Sequence, residues 1–189
     1  MQPLIILLAA PSGTGKSTIA KRLFEDFPNL KFSISATTRA PRKGESHGAD
    51  YYYLSMDEFQ QKIDNGDFIE WEEFYGGTRY GTLRSELVKN TEKGYFTLLD
   101  VDVKGAVRIK TLFNERCLAL FLQPPSLEIL EKRLRNRNTE SESSLKLRRE
   151  RADEELKYTG HFDAIITNDN LEKAYSELKN VVQTFLNLY

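Results

Sequence analysis

Short runs of consecutive apolar residues alternate along the chain with segments whose apolar residues recur every three or four positions. The runs cover residues 4–9, 96–101, 118–122 and 164–167. Runs this short and uninterrupted are typical of strands buried on both faces of a parallel sheet. Helical periodicity marks residues 16–26, 104–113, 126–135 and 171–188. The alternation predicts an α/β fold in which helices wrap a parallel sheet.

Two segments interrupt this alternation. Residues 33–82 contain five of the nine tyrosines, short β-like pieces at 51–54 and 68–74, and a capping box at 55–58 that opens a short helix. Residues 136–144 are polar and precede a highly charged helical stretch at 145–157. We therefore expect one domain, 1–189, that consists of a core, an inserted lobe and a lid. The core is 1–32, 83–135 and 158–189, an inserted lobe spans about 33–82, and a mobile helical lid spans about 136–157.

The strongest local signal is a glycine-rich loop between the first predicted strand and the first predicted helix. It reads Ala10, Pro11, Ser12, Gly13, Thr14, Gly15, Lys16, Ser17 and continues into Thr18. This is the Walker A pattern, with alanine in place of the first glycine. Its glycines let backbone N–H groups face one anion at a helix N-terminus, while Lys16 reaches the β and γ phosphates and Ser17 is placed for Mg²⁺. The plainer alternative is a tight turn with an exposed lysine.

Two acidic residues lie at the end of the predicted strand at 96–101, one inside the strand and one directly after it. Asp100 and Asp102 occupy the position at which P-loop proteins hold a carboxylate near the metal ion. Acids at strand ends are common, so the pattern leaves open which of the two contacts metal or substrate.

Composition and net charge restrict the kinds of molecule that the chain is expected to bind. A net charge of −1 argues against broad electrostatic binding to nucleic acid or to anionic membranes. Arginines nevertheless cluster, with six between Arg133 and Arg151 and two at Arg39 and Arg42. The single cysteine, Cys117, excludes an intramolecular disulfide and is expected to be buried. No signal peptide or membrane-length apolar stretch is evident, which predicts a cytoplasmic protein.

Several further motifs occur in one fixed order. They are residues 35–42, Gly44-Glu45, Gly48, Asp50-Tyr51, residues 68–71, residues 80–82, residues 99–102 with Gly105, residues 124–126, the arginines of the predicted lid, and residues 167–169. Together with the phosphate loop they cover essentially the whole chain, which resembles the guanylate kinase family. The resemblance implies transfer of the γ-phosphate of ATP to GMP, and also to dGMP, in purine nucleotide metabolism, with Mg²⁺ accompanying ATP.

The resemblance also implies roles for individual residues. The GMP site would comprise Ser35, Arg39, Arg42, Tyr51, Glu70, Tyr80, Thr82 and Asp102. The transfer step would use Lys16, Arg133, Arg137 and Arg148, with Asn168 and Asp169 near the adenine of ATP, and with Ser17 and Asp100 near the metal. We expect Arg135, Arg149 and Arg151 to be solvated helix charges paired with neighbouring glutamates. No obligate protein partner is implied.

The chemistry of guanine agrees with these assignments. Guanine presents N1–H and an exocyclic N2 amine as adjacent donors, which match the carboxylate of Glu70, while Ser35 can donate to O6. Adenine has an N1 acceptor and no N2 amine, so Glu70 would face a lone pair and reject it. The tyrosine ligand is assigned to Tyr80 rather than Tyr75 because Gly81 follows it, although this stretch is one residue longer than the family spacing.

The sequence leaves three alternative functions open. The acceptor could be AMP or a pyrimidine monophosphate, the chain could be a protein-binding module of the same fold, or it could sense nucleotides without turnover. Modules of the second kind typically lack the phosphate-loop lysine and the lid arginines, both of which this chain retains. A test of all four nucleoside monophosphates separates the remaining cases.

Overall fold

The computed structural model describes residues 2–74, 76–136 and 142–189, which form two sheets surrounded by helices. The strands are β1 Ile5–Ala9, β2 Leu30–Phe32, β3 Ala36–Thr37, β4 Tyr52–Tyr53, β5 Phe68–Glu73, β6 Arg79–Leu83, β7 Phe96–Leu99, β8 Cys117–Gln123 and β9 Ala164–Thr167. The helices are α1 Lys16–Asp26, α2 Met56–Asp64, α3 Arg84–Glu92, α4 Val103–Phe113, α5 Leu127–Arg135, α6 Glu142–Leu156 and α7 Leu171–Leu186. Within these residues, every helix is too short or too polar to cross a membrane.

The larger sheet has the strand order β2-β7-β1-β8-β9 and is parallel throughout, as the sequence predicts. Its central strand, β1, is buried on both faces because every side chain in it is apolar. Ile6 and Leu8 pack toward α1 and α7, whereas Ile5 and Leu7 pack toward α3 and α4. Alternation along the strand thus feeds two cores, one on each face of the sheet.

The parallel arrangement brings the loops that follow the strands to one edge of the sheet. Ala10 follows β1, Asp100 follows β7 and Asn168 follows β9. Open parallel sheets bind ligands at this carboxyl edge. The fold therefore gathers three of the predicted site segments before any side-chain contact is considered.

The smaller sheet, with the order β4-β3-β6-β5, lies between β2 and α3 in the chain. It packs on α2 through Phe59 and Phe68, whose rings stack at a centroid distance of 4.5 Å. Helix α2 begins with the predicted capping box, in which Ser55 and Glu58 each bond the backbone of the other. A further apolar contact joins α5 to α6, through Leu130, Leu134, Leu145 and Ala152.

Four elements were not predicted from the sequence, namely β2, β3, β6 and α3. The first two contain three and two residues, too few for a periodic signal. Helix α3 buries one large apolar side chain, Leu87, beside the polar residues Glu86 and Asn90. A helix anchored by one leucine carries almost no hydrophobic periodicity. Cys117 is buried as predicted, and burial raises the pKa of its thiol to about 12.

Candidate active site

The loop after β1 has the conformation of a phosphate-binding loop. Gly13 and Gly15 adopt φ values of 97° and 96°, which residues with a β-carbon rarely adopt. The hydroxyl of Thr14 donates to the carbonyl of Pro11 at 2.7 Å and closes the turn. Gly15 is the N-cap of α1 and has no side chain with which to cap it. The first N–H groups of α1 are thereby left for an anion.

Asn168 fixes this loop from the far end of the sheet. Its side chain is buried, and Nδ2 donates to the carbonyl of Thr14 at 2.6 Å. A β-carbon at Gly15 would lie 2.7 Å from the same nitrogen, so the glycine is also required by space. Arg133 on α5 donates to the carbonyl of Asn168 at 2.9 Å and reaches that of Asp169 at 3.4 Å. The predicted adenine-side residues and Arg133, one of the arginines predicted for the transfer step, thus form one cluster.

Lys16 begins α1, and its ammonium group pairs with the carboxylate of Asp100. Ser17 and Thr18 follow in the first turn of the helix and are exposed. The described part of the chain contains no group of three or more His, Cys, Asp or Glu side chains that could hold a metal ion. The sequence assigns the hydroxyl of Ser17 and the carboxylate of Asp100 to the metal, and hard oxygen ligands of this kind suit Mg²⁺ accompanied by phosphates and water.

A basic and aromatic cluster lies in the segment between β3 and β4. Arg39 donates to Glu45 at 3.0 Å, and its guanidinium lies 5.4 Å from the ring centroid of Tyr51. The rings of Tyr51 and Tyr80 are 6.0 Å apart. The hydrogen bonds of Arg39 with Glu45 and then with Tyr80 raise the pKa of Arg39, and the bond donated by Arg39 lowers the pKa of Glu45 to about 2. Three of the four predicted phosphate ligands are in mutual contact.

The fourth predicted phosphate ligand is arranged differently. Arg42 contributes its backbone N–H to Glu45 at 2.7 Å, while its side chain is exposed. Tyr53 also donates its hydroxyl to Glu45, at 2.8 Å. Glu45 thus organises the cluster, a role that the sequence analysis did not assign to it. The signal was present, since an acid three residues after Arg42 and six after Arg39 is the natural partner of both.

Glu70 is a buried carboxyl group, with 8% of the residue exposed. It stands in β5 opposite Thr82 of β6, whose hydroxyl donates to Oε1 at 2.7 Å. Burial raises the pKa of Glu70 to about 7, and the nearby carboxylate of Asp102 adds to the rise, while the Thr82 bond opposes it. A buried carboxyl group with a spare oxygen is what a base with two adjacent donors requires.

Asp102 and Ser35 are the other two residues that the sequence assigns to the guanine base. Asp102 caps α4, because Oδ1 accepts from the backbone N–H of Gly105 at 2.9 Å. Ser35 lies just before β3, and its carbonyl accepts from the N–H of Tyr52 at 2.9 Å. Both side chains are partly buried.

Helix α6 reaches the phosphate loop. Arg148 donates from Nη1 to the hydroxyl of Ser12 at 2.5 Å, across 136 positions of sequence. Arg151 pairs with Glu155 at 2.8 Å, as expected, but its guanidinium also lies 5.0 Å from the ring of Phe74. Glu155 is largely buried, which raises its pKa, and it interacts with the charges of Lys16 and Asp102. The sequence analysis did not identify Glu155 as part of this site.

The remaining arginine and tyrosine assignments have mixed outcomes. Arg137 and Tyr75 lie outside the described residues. Arg135 pairs with Glu131 at 3.0 Å, as expected for a helix-surface pair. Arg149 also pairs with Glu131, at 3.0 Å, and therefore bridges α6 to α5 instead of pairing within its own helix.

A family model described as "Guanylate kinase" matches residues 1–185 of this chain. A curated guanylate kinase of Chlorobium luteolum is 48% identical over 182 residues, covering 96% of this chain and 92% of that protein. A second, of Salinibacter ruber, is 47% identical and covers 96% of both chains.

A crystal structure gives the same result at the level of the fold. The guanylate kinase of Anaplasma phagocytophilum matches with a TM-score of 0.76 at 33% sequence identity. The match covers 97% of this chain and 86% of the other. The α/β fold predicted from the alternating pattern is thereby confirmed.

Proposed function

The chain belongs to the guanylate kinase family, and we propose that it transfers the γ-phosphoryl group of ATP to GMP or dGMP through the residues described above. The observation that carries this proposal is the buried carboxyl group of Glu70, in a chain whose first loop has the conformation of a phosphate-binding loop. The enzyme is an ATP:GMP phosphotransferase, and we place its work in purine nucleotide metabolism of the cytoplasm.

On the acceptor side, Glu70 accepts from N1–H and the N2 amine of guanine, and Ser35 donates to O6. Thr82 holds the carboxyl group in position through its 2.7 Å hydrogen bond. Asp102 lies close enough to raise the pKa of Glu70 and is assigned to the same base-binding pocket. A charged acceptor facing two donors gives strong, directional hydrogen bonds.

The phosphate of GMP is assigned to Arg39, Arg42, Tyr51 and Tyr80. Guanidinium groups bind phosphate through paired hydrogen bonds, and phenol hydroxyls add single donors. The contact of Arg39 with Tyr51 and Tyr80 supports the choice of Tyr80. Because Arg39 pairs with Glu45, the phosphate of GMP must share Arg39 with Glu45 or replace Glu45 as its partner.

On the donor side, the backbone from Ala10 to Thr18 surrounds the phosphates of ATP. Lys16 exchanges Asp100 for the β and γ phosphates, and Asn168 with Asp169 lines the adenine side. The hydroxyl of Ser17 and the carboxylate of Asp100 would hold Mg²⁺, which when bound neutralises charge on the phosphates.

In the transfer step a phosphate oxygen of GMP bonds to the γ-phosphorus of ATP while the bond from that phosphorus to the β–γ bridging oxygen breaks. The products are GDP and ADP. Lys16, Arg133, Arg137 and Arg148 supply positive charge around the moving group. The bond from Arg148 to Ser12 brings α6 against the phosphate loop, and a helix in that position excludes water.

We assign this chemistry to three parts of one domain. The core of residues 1–32, 83–135 and 158–189 holds ATP, the lobe of about 33–82 holds GMP, and the lid of about 136–157 brings its arginines to both. Support comes from the separate small sheet of the lobe and from the small apolar contact between α5 and α6.

The proposal is tested by incubating the protein with ATP, Mg²⁺ and GMP, AMP, CMP or UMP and separating the products. We expect GDP and ADP in equal amounts from GMP, with far slower turnover of the other three. Equal or greater turnover of another monophosphate would reassign the acceptor. Binding of GMP without product would indicate a nucleotide sensor.

A further inference from the structure

The carboxyl group of Glu70 lies between strand β6 and helix α4. On one side Oε1 accepts from Thr82 of β6. On the other side the carboxyl group lies against the first turn of α4, where a β-carbon added to Gly105 would be 2.9 Å from Oε2 and 3.2 Å from Cδ. Real β-carbons essentially never approach an atom so closely, so the observed position of the carboxyl group requires a residue without a side chain.

The backbone gives no other reason for glycine at this position. Gly105 lies in the interior of the first turn of α4, and its φ is outside the positive region that favours glycine. The hydrogen bond from its N–H to Asp102 is available to any residue except proline. Alanine is the better helix former, so helix propensity argues against glycine here. Close packing against the carboxyl group is the remaining explanation.

We propose that Gly105 is a positioning residue for guanine selection, because its bare backbone lets the carboxyl group of Glu70 lie against α4 while Oε1 accepts from Thr82. This inference rests on the GMP site proposed above. It concerns a residue of the core that acts through a residue of the acceptor lobe, since β5 and α4 meet at this point.

A methyl group at Gly105 would move the carboxyl group and leave the fold in place. The atoms it meets belong to the end of a flexible side chain, and the next nearest atom, Cβ of Val101, is at an ordinary 3.6 Å. Glu70 would retreat from α4 and lose its alignment with Thr82. Hydrogen bonds to a charged group are strong only in a narrow range of distance and angle, so the bonds to guanine would weaken.

The test compares steady-state kinetics of Gly105→Ala with those of the wild type and of Gly160→Ala. Gly160 is a matched control because nothing lies within 4 Å of its added β-carbon and its φ is not positive. For Gly105→Ala we expect the KM for GMP to rise roughly tenfold, as for one weakened charged hydrogen bond. The KM for ATP should stay within about twofold of the wild type, and the thermal midpoint should not fall.

Inosine monophosphate supplies a readout that a merely structural role would not move. It has the N1–H and O6 of GMP but no N2 amine, so its use reports on one of the two bonds to Glu70. We expect the preference for GMP over this nucleotide to shrink in Gly105→Ala and to be unchanged in Gly160→Ala. A double-mutant cycle with Glu70→Gln should show that the Gly105→Ala effect largely disappears once the carboxylate is gone.

The possible results distinguish failure of the proposed function from failure of the proposed role of Gly105. If wild-type protein does not phosphorylate GMP, the proposed function itself fails. If it does, but Gly105→Ala matches Gly160→Ala in both the KM for GMP and the nucleotide preference, the role of Gly105 is overturned. Loss of ATP binding in Gly105→Ala would overturn it too, since the glycine would then serve the fold and not Glu70.

Discussion

The proposed selection of guanine depends on Glu70, an ionisable group that is largely buried. Burial favours the neutral carboxyl group, whereas GMP requires the ionised form as an acceptor. Binding of GMP must therefore remove a proton when the nucleotide-free carboxyl group carries one. This conflict is characteristic of ligand sites, where groups are held in states that the isolated fold does not favour.

The first prediction concerns pH. Because the pKa of Glu70 is raised to about 7, most of the carboxyl groups are protonated at about pH 6 and ionised at about pH 8. GMP binding should therefore strengthen as pH rises through this range, with the KM for GMP falling about tenfold. The neighbouring charges of Asp102, Glu72 and Arg108 modify the midpoint.

The phosphate of GMP also titrates near the lower end of this range, at about pH 6. The control is Glu70→Gln, which keeps that phosphate titration and removes the carboxyl group. The KM of the variant should change much less between the two pH values. An identical pH profile in both proteins would contradict the raised pKa of Glu70.

At the scale of elements, helix α6 places two adjacent arginines in different roles. Arg148 points to the phosphate loop, where it donates to Ser12, and Arg149 points to Glu131 on α5. In the proposed mechanism the first supplies positive charge during transfer. The second forms an ion pair in which both side chains are accessible to water.

The second prediction follows from this difference. Arg148→Ala should lower kcat about a hundredfold or more, because a cation is lost from the transition state, while the KM for GMP changes little. Arg149→Ala should leave kcat within about twofold, because exposed ion pairs contribute little. The measurement is steady-state kinetics with both substrates varied. Equal losses in the two variants would contradict the assignment of Arg148.

Elements with strong local signals were predicted well from the sequence. The sequence signals for the phosphate loop and α1 lie in neighbouring residues, and α1 begins and ends at the predicted positions, Lys16 and Asp26. Contacts between distant segments could not be predicted in this way. The bond from Arg148 to Ser12 and the bond from Asn168 to Thr14 each join residues more than 130 positions apart.

The strand that carries Glu70 illustrates a second limit. Period-two alternation in β5 would assign Glu70 and Glu72 to one face and to similar surroundings. The structure places both acids against α4, but it buries Glu70 beside Gly105 and pairs the partly exposed Glu72 with Arg108. Periodicity gives the face of a side chain, whereas the helix that covers it is set by the tertiary fold.

At the scale of the whole molecule, the large sheet fixes the relative positions of the donor and acceptor segments. Its central strands β1 and β8 are almost wholly apolar and buried, so they resist deformation when nucleotides bind. The lobe has a small apolar core of its own, and α6 packs on α5 through a small apolar cluster. We expect the free energy of unfolding to depend mainly on the large sheet.

The third prediction tests this expectation. Leu120→Ala in β8 removes a fully buried side chain and should lower the free energy of unfolding by about 3 kcal/mol, through lost burial and the cavity left behind. Leu188→Ala, at a position that is 72% exposed, should change it by less than about 0.5 kcal/mol. Urea denaturation measures both. Similar values for the two variants would contradict the central role of the sheet.

In the proposed mechanism the buried carboxylate of Glu70 selects guanine, and the phosphate loop holds the ATP that donates the phosphoryl group. The most direct test is the ratio of kcat/KM for GMP to kcat/KM for AMP, measured in the wild type and in Glu70→Gln. The account predicts a wild-type ratio of about ten-thousandfold or more, falling at least about a hundredfold in the variant, because the amide offers guanine one acceptor and one mismatched donor. A ratio that is unchanged by the substitution would contradict the account.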